Sequence, residues 1–529
     1  MLPRILDGIE AAARLSPDAI ALVAPDGVHA SYAELTSLVS GAVARLRALG
    51  IGPADRVAIV VPDGPEALTA FLAVSEAAVA APINPAFPQS EYETYLAHIR
   101  ATALVTSFAP GSPPVGAAVA LGLPVIQLIV ATGGPAGQFA LDALGPARPP
   151  AHTDGATSAR GSDDIALVLT TSGTTSRPKV VPLTHAGIAQ SAMNIAESLA
   201  LTARDRCFDV MPLFHVHGLI GGALSSLMSG ASVICPRGFD APRFFNAVDA
   251  LVPTWYTAAP TMHQAIASRA EGHREVLERR RLRLIRSCSA ALPRETRDAL
   301  ERAFGAPVVE AYGMTEACHQ IASTPLPVSR DKAGSVGVAT GTTIAIRDPE
   351  SGKLLATGES GEIVLRGSSI TGGYEGAPEA NAQTFVDGWF RTGDQGRLDD
   401  GGYLFITGRL KEIINRGGEK ISPPEVDQAL LAHPDVAQAC AFALPDPRLG
   451  ETVAAAVVLK PGAVCSERDI REFVAKQVAA FKVPDRVVFV EALPRTPTGK
   501  VQRLGMAGRL GLQASRPAAA QPPPATKAA

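Results

Sequence analysis

The chain lacks the marks of a disulfide scaffold, a membrane span or a nucleic-acid binder. Its six cysteines, Cys207, Cys235, Cys288, Cys318, Cys440 and Cys465, are scattered and form no C-x-x-C pair. That suits reduced core or near-site residues better than structural bridges. No apolar run approaches the roughly 18 residues that a membrane helix needs. A net charge of −3 leaves no basic surplus for nucleic acid or an anionic bilayer. Aromatic residues make up only 5% and alanine is heavily used, so the cores should be aliphatic. The first residues, MLPRILDGIEAAARLS, carry Asp7 and Glu10 and lack the long apolar stretch of a signal peptide. They read as a short amphipathic surface helix. Together these absences predict a soluble, cytoplasmic protein.

What is present describes a globular chain with ample apolar surface. It has 529 residues, 47% hydrophobic and 19% charged, enough for more than one domain. Ser31-Tyr-Ala-Glu34 is a capping box, and the helix it opens should run to Leu49 and stop at Gly50. Arg56 to Val61 reads as a buried strand and Glu66 to Ala80 as a helix. Strand–helix alternation continues to about residue 310, which argues for a mostly parallel sheet covered by helices. After Gly334 the texture changes to short strands and turns, the mark of an appended β-rich subdomain. From Gly408 a smaller α+β unit begins, with a helix near Pro424 to Ala432, strands Val436 to Ala443 and Thr452 to Leu459, and a helix Glu467 to Ala479. Residues 513–529 are Pro/Ala-rich and read as a disordered tail.

Several strings carry chemistry. LTTSGTTSRPK, residues 169–179, comes after a short apolar run. Its small hydroxyl residues and Gly173 let backbone N–H groups approach phosphate oxygens, and Lys179 adds a point charge. The residue before that lysine is Pro178, so the spacing is not G-x-x-x-x-G-K-[ST]. An ordinary Ser/Thr-rich loop has the same composition. In Pro212-Leu-Phe-His-Val-His-Gly218, two histidines at i and i+2 would face one pocket if the string were a strand. A two-His metal site is then conceivable, but no third ligand stands at a suitable spacing. In Tyr312-Gly-Met-Thr-Glu316, Thr315 suits a phosphate oxygen and Glu316 a hard cation, although a solvated glutamate reads the same way. Asp394, after the turn in Trp389-Phe-Arg-Thr-Gly-Asp394, suits the two hydroxyls of a ribose or local turn bonds. A glycine pair, Gly417 and Gly418, flanked by Arg416 and Lys420, would serve phosphate contact or a charged hairpin. Lys500, in PRTPTGK, is a lone lysine on a glycine loop.

Taken together and in this order, these strings resemble the phosphate loop, acyl-pocket, Y-G-x-T-E, ribose, hinge and C-terminal lysine motifs of the adenylate-forming superfamily. Its members include acyl-CoA synthetases, adenylation domains and beetle luciferases. The resemblance covers residues from about 165 to 503. It implies an α/β fold: a large N-terminal domain (1–410) with layered sheets and a β-rich subdomain, and a small mobile lid (411–512) hinged near Lys411. It implies ATP and CoA as co-substrates with Mg²⁺ on Glu316. A carboxylate attacks the α-phosphate of ATP, and the CoA thiol then attacks the acyl carbon. The residues it places around ATP and AMP are Thr171, Ser172, Gly173, Thr174, Thr175, Lys179, Ser289, Ala290, Glu310, Ala311, Tyr312, Gly313, Thr315, Asp394, Arg409 and Lys500. Lys500, His215, Glu316 and Thr315 would carry catalysis. Arg416, Gly417, Gly418 and Lys420 would meet CoA.

Among acyl-CoA synthetases the local strings look most like those of oxalate–CoA ligases. His215, Ser289 and His319 then hold the small dicarboxylate, and His319 discriminates, because a fatty-acyl tunnel has little use for a second imidazole. Malonate is disfavoured by the lack of an obvious arginine for its far carboxylate. A short- or medium-chain acyl-CoA synthetase is the alternative, and a carrier-loading adenylation enzyme a more distant one. The small-molecule acid, ATP and CoA are the expected partners, with no nucleic acid and no membrane.

Overall fold

The computed structural model describes residues 3–145, 160–171, 178–495 and 501–512. Residues 1–392 with 397–405 form one compact unit, and 393–396 with 406–529 a second. The division passes through the strands Trp389–Leu398 and Leu404–Arg409. The fold is α/β, with a large first unit and a small second one built on its own sheet.

The first unit holds two large sheets. One has seven strands, in the order Phe139–Leu144, Val125–Val130, Ala103–Thr106, Arg56–Val60, Val79–Pro82, Ile165–Thr171 and Lys179–Thr184. The other has nine, in the order Val338–Ala339, His319–Ser323, Val308–Met314, Leu284–Ser287, Trp255–Ala258, Arg206–Asp209, Ser232–Ile234, Ile20–Val23 and His29–Ser31. Its middle strands are parallel and bury both faces. Cys207, Trp255, Leu284 and Val309 pack into one apolar cluster, while Phe208, Tyr256, Ile285 and Val308 pack into another. Double burial explains why these strands read as continuous apolar runs rather than alternating ones. A smaller sheet pairs Thr343–Arg347, Gly361–Arg366 and Trp389–Leu398, and accounts for the change of texture after Gly334.

The capping box closes as the sequence predicts. Glu34 N–H donates to Ser31 Oγ at 3.2 Å, and Ser31 N–H donates to Glu34 Oε2 at 2.7 Å. The helix Tyr32–Ala48 begins there. The next helix is shorter than expected. It spans Pro65–Ala77 and gives way to the strand Val79–Pro82. The Ala-rich sequence contains no breaker there. What ends the helix is tertiary, since Val79 to Pro82 pair in parallel with Arg56 to Ile59.

In the second unit the hairpin Val436–Asp446 and Gly450–Leu459 carries the sheet, with helices Pro423–Leu431 and Glu467–Val474 on it. The first strand runs past its expected end to Asp446, the second begins two residues early at Gly450, and the second helix stops five residues early, at Val474. Arg503 ties the unit together, donating to Asp427 Oδ2 at 2.7 Å and to Glu412 Oε2 at 3.0 Å. Ser172, Gly173, Thr174, Thr175, Lys500 and the tail from residue 513 lie outside the described residues.

Candidate active site

Parallel sheets gather functional groups beyond the carboxyl ends of their strands. Here four adjacent strands do so. Arg206–Asp209 leads to His215 and His217, Trp255–Ala258 carries Thr257, Leu284–Ser287 leads to Ser289, and Val308–Met314 leads to Thr315 and Glu316. Register sets Thr257 beside Arg286 and Ser287 beside Glu310.

The two histidines do not share a strand. His215 lies in a turn and accepts the His217 backbone N–H on Nδ1 at 3.2 Å, while His217 begins a π-helix, His217–Leu224. The i, i+2 argument therefore fails, and the inner histidine is His217. It is fully buried, with Nε2 2.6 Å from Thr257 Oγ1 and Nδ1 2.8 Å from Ser289 Oγ. Burial, then His319 and Arg286, hold its imidazole well below the usual range, so it is neutral. Ser289 sits in the left-handed region, φ 78°, which turns its hydroxyl back onto His217. No metal cluster among the described residues includes either histidine. The grouped donors there are His433, Asp435 and Cys465, in the second unit.

His319 opens the strand His319–Ser323 instead of packing on a helix after Glu316. Its ring stacks on His217, centroids 5.1 Å apart. Its Nε2 lies 2.9 Å from Nη2 of Arg286, which also donates to Gln320 Oε1 at 2.8 Å. Arg286 is a fully buried guanidinium, and among the described residues no carboxylate lies within ion-pairing distance of it. The sequence reading finds no arginine for malonate's far carboxylate; the structure places the buried Arg286 beside His319. The signal was a charged residue inside an apolar parallel strand, Leu284-Ile-Arg-Ser287. Two glycines make the packing possible. A Cβ on Gly221 would stand 2.6 Å from His319 Nε2, and one on Gly313 would stand 1.7 Å from the His319 carbonyl oxygen.

Thr171 and Lys179 face each other across the base of the hairpin Ile165–Thr171 and Lys179–Thr184. Lys179 Nζ lies 4.2 Å over the Tyr374 ring, and Tyr374 O–H donates to Glu316 Oε1 at 2.8 Å. Tyr374 had no sequence signal. Glu316 and Thr315 sit half-buried on a single helical turn, Thr315–Ala317. Glu310, Ala311, Tyr312 and Gly313 lie on the strand Val308–Met314 that leads into it. Burial pushes the Glu310 carboxyl up to about 7, against the pull of Arg297 at 3.4 Å. Ala290 is exposed, beside Ser289.

The first unit therefore presents the hairpin of Thr171 and Lys179, an acidic turn at Glu316 and a buried cluster of His217, His319 and Arg286 beside Ser289. The AMP-binding enzyme family matches residues 9–375, and the AMP-binding enzyme C-terminal domain matches residues 425–500. The chain belongs to the AMP-binding enzyme family. This AMP-binding enzyme is 45% identical over 501 residues to the oxalate–CoA ligase of Arabidopsis thaliana, covering 94% of this chain and 96% of that one. It is 35% identical to the sulfoacetate–CoA ligase of Cupriavidus necator, covering 92% and 94%. ATP-bound MatB from Rhodopseudomonas palustris superposes with a TM-score of 0.82 at 30% identity, covering 93% and 97%. The protein is an AMP-forming acid–CoA ligase, with ATP and CoA as co-substrates.

The second unit of this AMP-binding enzyme carries the remaining predicted residues. Asp394 is buried and accepts from Arg409 Nε at 2.8 Å. Arg416 donates to the Phe481 carbonyl at 2.7 Å and to Asp485 Oδ2 at 2.9 Å, so its guanidinium is already engaged. Gly417 and Gly418, φ 60° and 102°, turn the hairpin on which Lys420 is exposed. Lys411 is exposed on the short helical turn Leu410–Glu412.

Proposed function

We propose that the enzyme converts oxalate, ATP and CoA to oxalyl-CoA, AMP and diphosphate through oxalyl-AMP. The observation that carries the reading is the enclosed cluster of Ser289, His217, His319 and Arg286, polar throughout and built around a buried cation. A fatty-acyl tunnel would line this position with apolar side chains, because each buried polar group without a partner costs free energy. The Arabidopsis relative's name supports the same acid.

In this reading one oxalate carboxylate oxygen attacks the α-phosphorus and diphosphate leaves. Ser289, His319 and the half-buried His215 surround the second carboxylate. Thr171 to Thr175, Lys179 and Thr315 cradle the phosphates. Tyr312, with Glu310, Ala311 and Gly313 behind it, flanks the adenine, and Asp394 with Arg409 meets the ribose. Ser289 and Ala290 also border the nucleotide. Lys500 neutralises charge as the adenylate forms. Glu316 fits a hard divalent ion, since it offers a half-buried carboxylate whose Oε1 is already oriented by Tyr374. Mg²⁺ held there would supply charge neutralisation on the phosphates. Tyr374→Phe should then weaken the apparent Mg²⁺ affinity in diphosphate release several-fold, about 1 kcal/mol for one lost hydrogen bond. An unchanged Mg²⁺ titration would detach Glu316 from the metal.

The CoA thiol next attacks the acyl carbon and AMP departs. Gly417, Gly418 and Lys420 offer backbone N–H groups and a cation for CoA, beside the engaged Arg416. We place the working boundary between a body (1–410) and a lid (411–512) at Lys411. Lys411→Pro fixes φ there and removes a donor. The expected result is retained diphosphate release with thioester formation lost, and full turnover would move the pivot elsewhere. The substrate itself is tested by diphosphate release across oxalate, malonate, sulfoacetate, acetate and hexanoate, with and without CoA. Oxalate should show the highest kcat/KM. Faster turnover of hexanoate or malonate would overturn the assignment and leave the adenylate chemistry standing.

A further inference from the structure

Tyr374 stands in a glycine-rich string, Thr371-Gly-Gly-Tyr-Glu-Gly376, whose backbone has more conformational freedom than most. Its side chain is nonetheless engaged twice. The hydroxyl donates to Glu316 Oε1 at 2.8 Å, and Lys179 Nζ lies 4.2 Å over the ring. What fixes the residue is Asn381, in the helix Pro378–Thr384. Asn381 Oδ1 accepts the Tyr374 backbone N–H at 2.7 Å, and Asn381 Nδ2 donates to the Tyr374 carbonyl at 2.8 Å. We propose that Asn381 is a positioning residue that holds Tyr374 so that its phenol orients the carboxylate of Glu316.

A backbone N–H can only donate and a carbonyl can only accept, so one amide orientation satisfies both bonds. The pair of bonds gives Tyr374 what a neighbouring β-strand would give it. Aspartate has the same shape but carries acceptors alone, and would set an oxygen against the Tyr374 carbonyl. The amide is itself held in place. Asn381 N–H donates to the Ala377 carbonyl at 2.9 Å, in a helix that opens on a proline. Gly373, φ 140°, packs closely on it, since a Cβ there would stand 3.1 Å from Asn381 Nδ2.

The rest of the string is pinned to the two elements it bridges. Thr371 N–H donates to the Glu316 carbonyl at 2.7 Å, and Thr371 Oγ1 donates to the Pro182 carbonyl at 2.7 Å. Glu375 N–H donates to the Val180 carbonyl at 3.0 Å. Residues 371–375 thus lie along the strand Lys179–Thr184 and against the turn that carries Glu316. Asn381 Oδ1 holds the peptide unit before Tyr374, and Asn381 Nδ2, with the Val180 bond, holds the unit after it. The direction of the tyrosine side chain follows from those two planes. Burial, then the Glu316 charge, pushes the phenol well above its usual range, so it stays a donor to the carboxylate.

The kinetic arm of the test rests on the reading of Glu316 as a Mg²⁺ ligand, whereas the spectroscopic arm does not. In the full-length enzyme with ¹³C-labelled tyrosine, the ring signals of Tyr374, assigned with Tyr374→Phe, report its bond to Glu316. Glu316→Gln shows where those signals move when the bond weakens. Asn381→Ala should shift them in the same direction, and unchanged signals would overturn the proposal. In diphosphate release, Asn381→Ala should weaken the apparent Mg²⁺ affinity several-fold, as far as Tyr374→Phe does and no further. Added to Tyr374→Phe it should cost nothing more, because it acts through that phenol, and a fully additive loss would overturn the proposal. Thioester formation from supplied oxalyl-AMP and CoA should be unchanged. An equal loss there would assign Asn381 to the fold and also overturn it. Should Asn381→Ala fail to fold, Asn381→Asp keeps the shape, loses the donor to the Tyr374 carbonyl, and should show the same shifts. A moved Tyr374 signal beside an unchanged Mg²⁺ titration in Tyr374→Phe would uphold the role of Asn381 and remove the metal from Glu316.

Discussion

His319→Ala is expected to lower kcat/KM for oxalate by at least ~10²-fold while leaving the KM for ATP close to its original value. Oxalate is two carboxylates joined directly, so when one reaches the α-phosphorus the other lies a single C–C bond deeper. The pocket must be short and must give donors to an anion cut off from water. Losing the imidazole removes one such donor and leaves Arg286 Nη2 with Gln320 as its remaining partner. An unpaired buried carboxylate costs several kcal/mol, roughly, and acetate has no second carboxylate to feel the loss. The measurement is steady-state diphosphate release with oxalate and acetate in parallel. Equal losses for both acids would assign His319 a packing role on His217, and unchanged oxalate kinetics would remove it from the site.

Lys500→Ala should slow acyl-AMP formation by about 10²-fold or more, as when an oxyanion donor is removed. Adenylation builds negative charge around the α-phosphorus with no protein nucleophile to share it, so positioned cations supply much of the catalysis. Thioester formation from supplied oxalyl-AMP and CoA should survive, because that step expels AMP and no longer needs the lysine at the phosphate. Rapid-quench measurement of the two half-reactions separates the outcomes. Equal loss in both would mean that Lys500 supports the fold or both steps.

Local rules made the capping box at Ser31, the strand at Arg56 and the order of the second unit's elements readable. The features those rules missed were decided by neighbours distant in sequence. The stretch Val74 to Ala80 has helix-compatible residues throughout, and its pairing with Arg56–Val60 and Ile165–Thr171 turns its end into a strand. At the site, Glu316, Ser289 and His319 were legible because each sits in a distinctive string. Arg286 was not, although it lies in one of the same strings. It comes after Arg281 and Arg283, and Arg283 does reach a partly exposed position beside Asp205. One arginine at the surface and one in the core look identical until the sheet defines which side each takes. His215 and His217 were separable only by the turn that ends before the π-helix, since spacing alone treats them as equals. Tyr374 lies 58 residues from Glu316, and nothing local marks it as that carboxylate's partner.

The π-helix His217–Leu224 also bears on how this enzyme's substrate range can evolve. Its wider winding is, geometrically, the trace of a one-residue insertion into an α-helix. Removing a single codon at Gly221 or Gly222 would restore ordinary winding and rotate the residues before the deletion by about 100° relative to those after it. That would swing His217 away from Thr257 and Ser289 while leaving Ser225–Met228 in place. A length mutation could thus dismantle the polar cluster in one generation, where point substitutions in so closely packed an interior would have to be accumulated and individually tolerated.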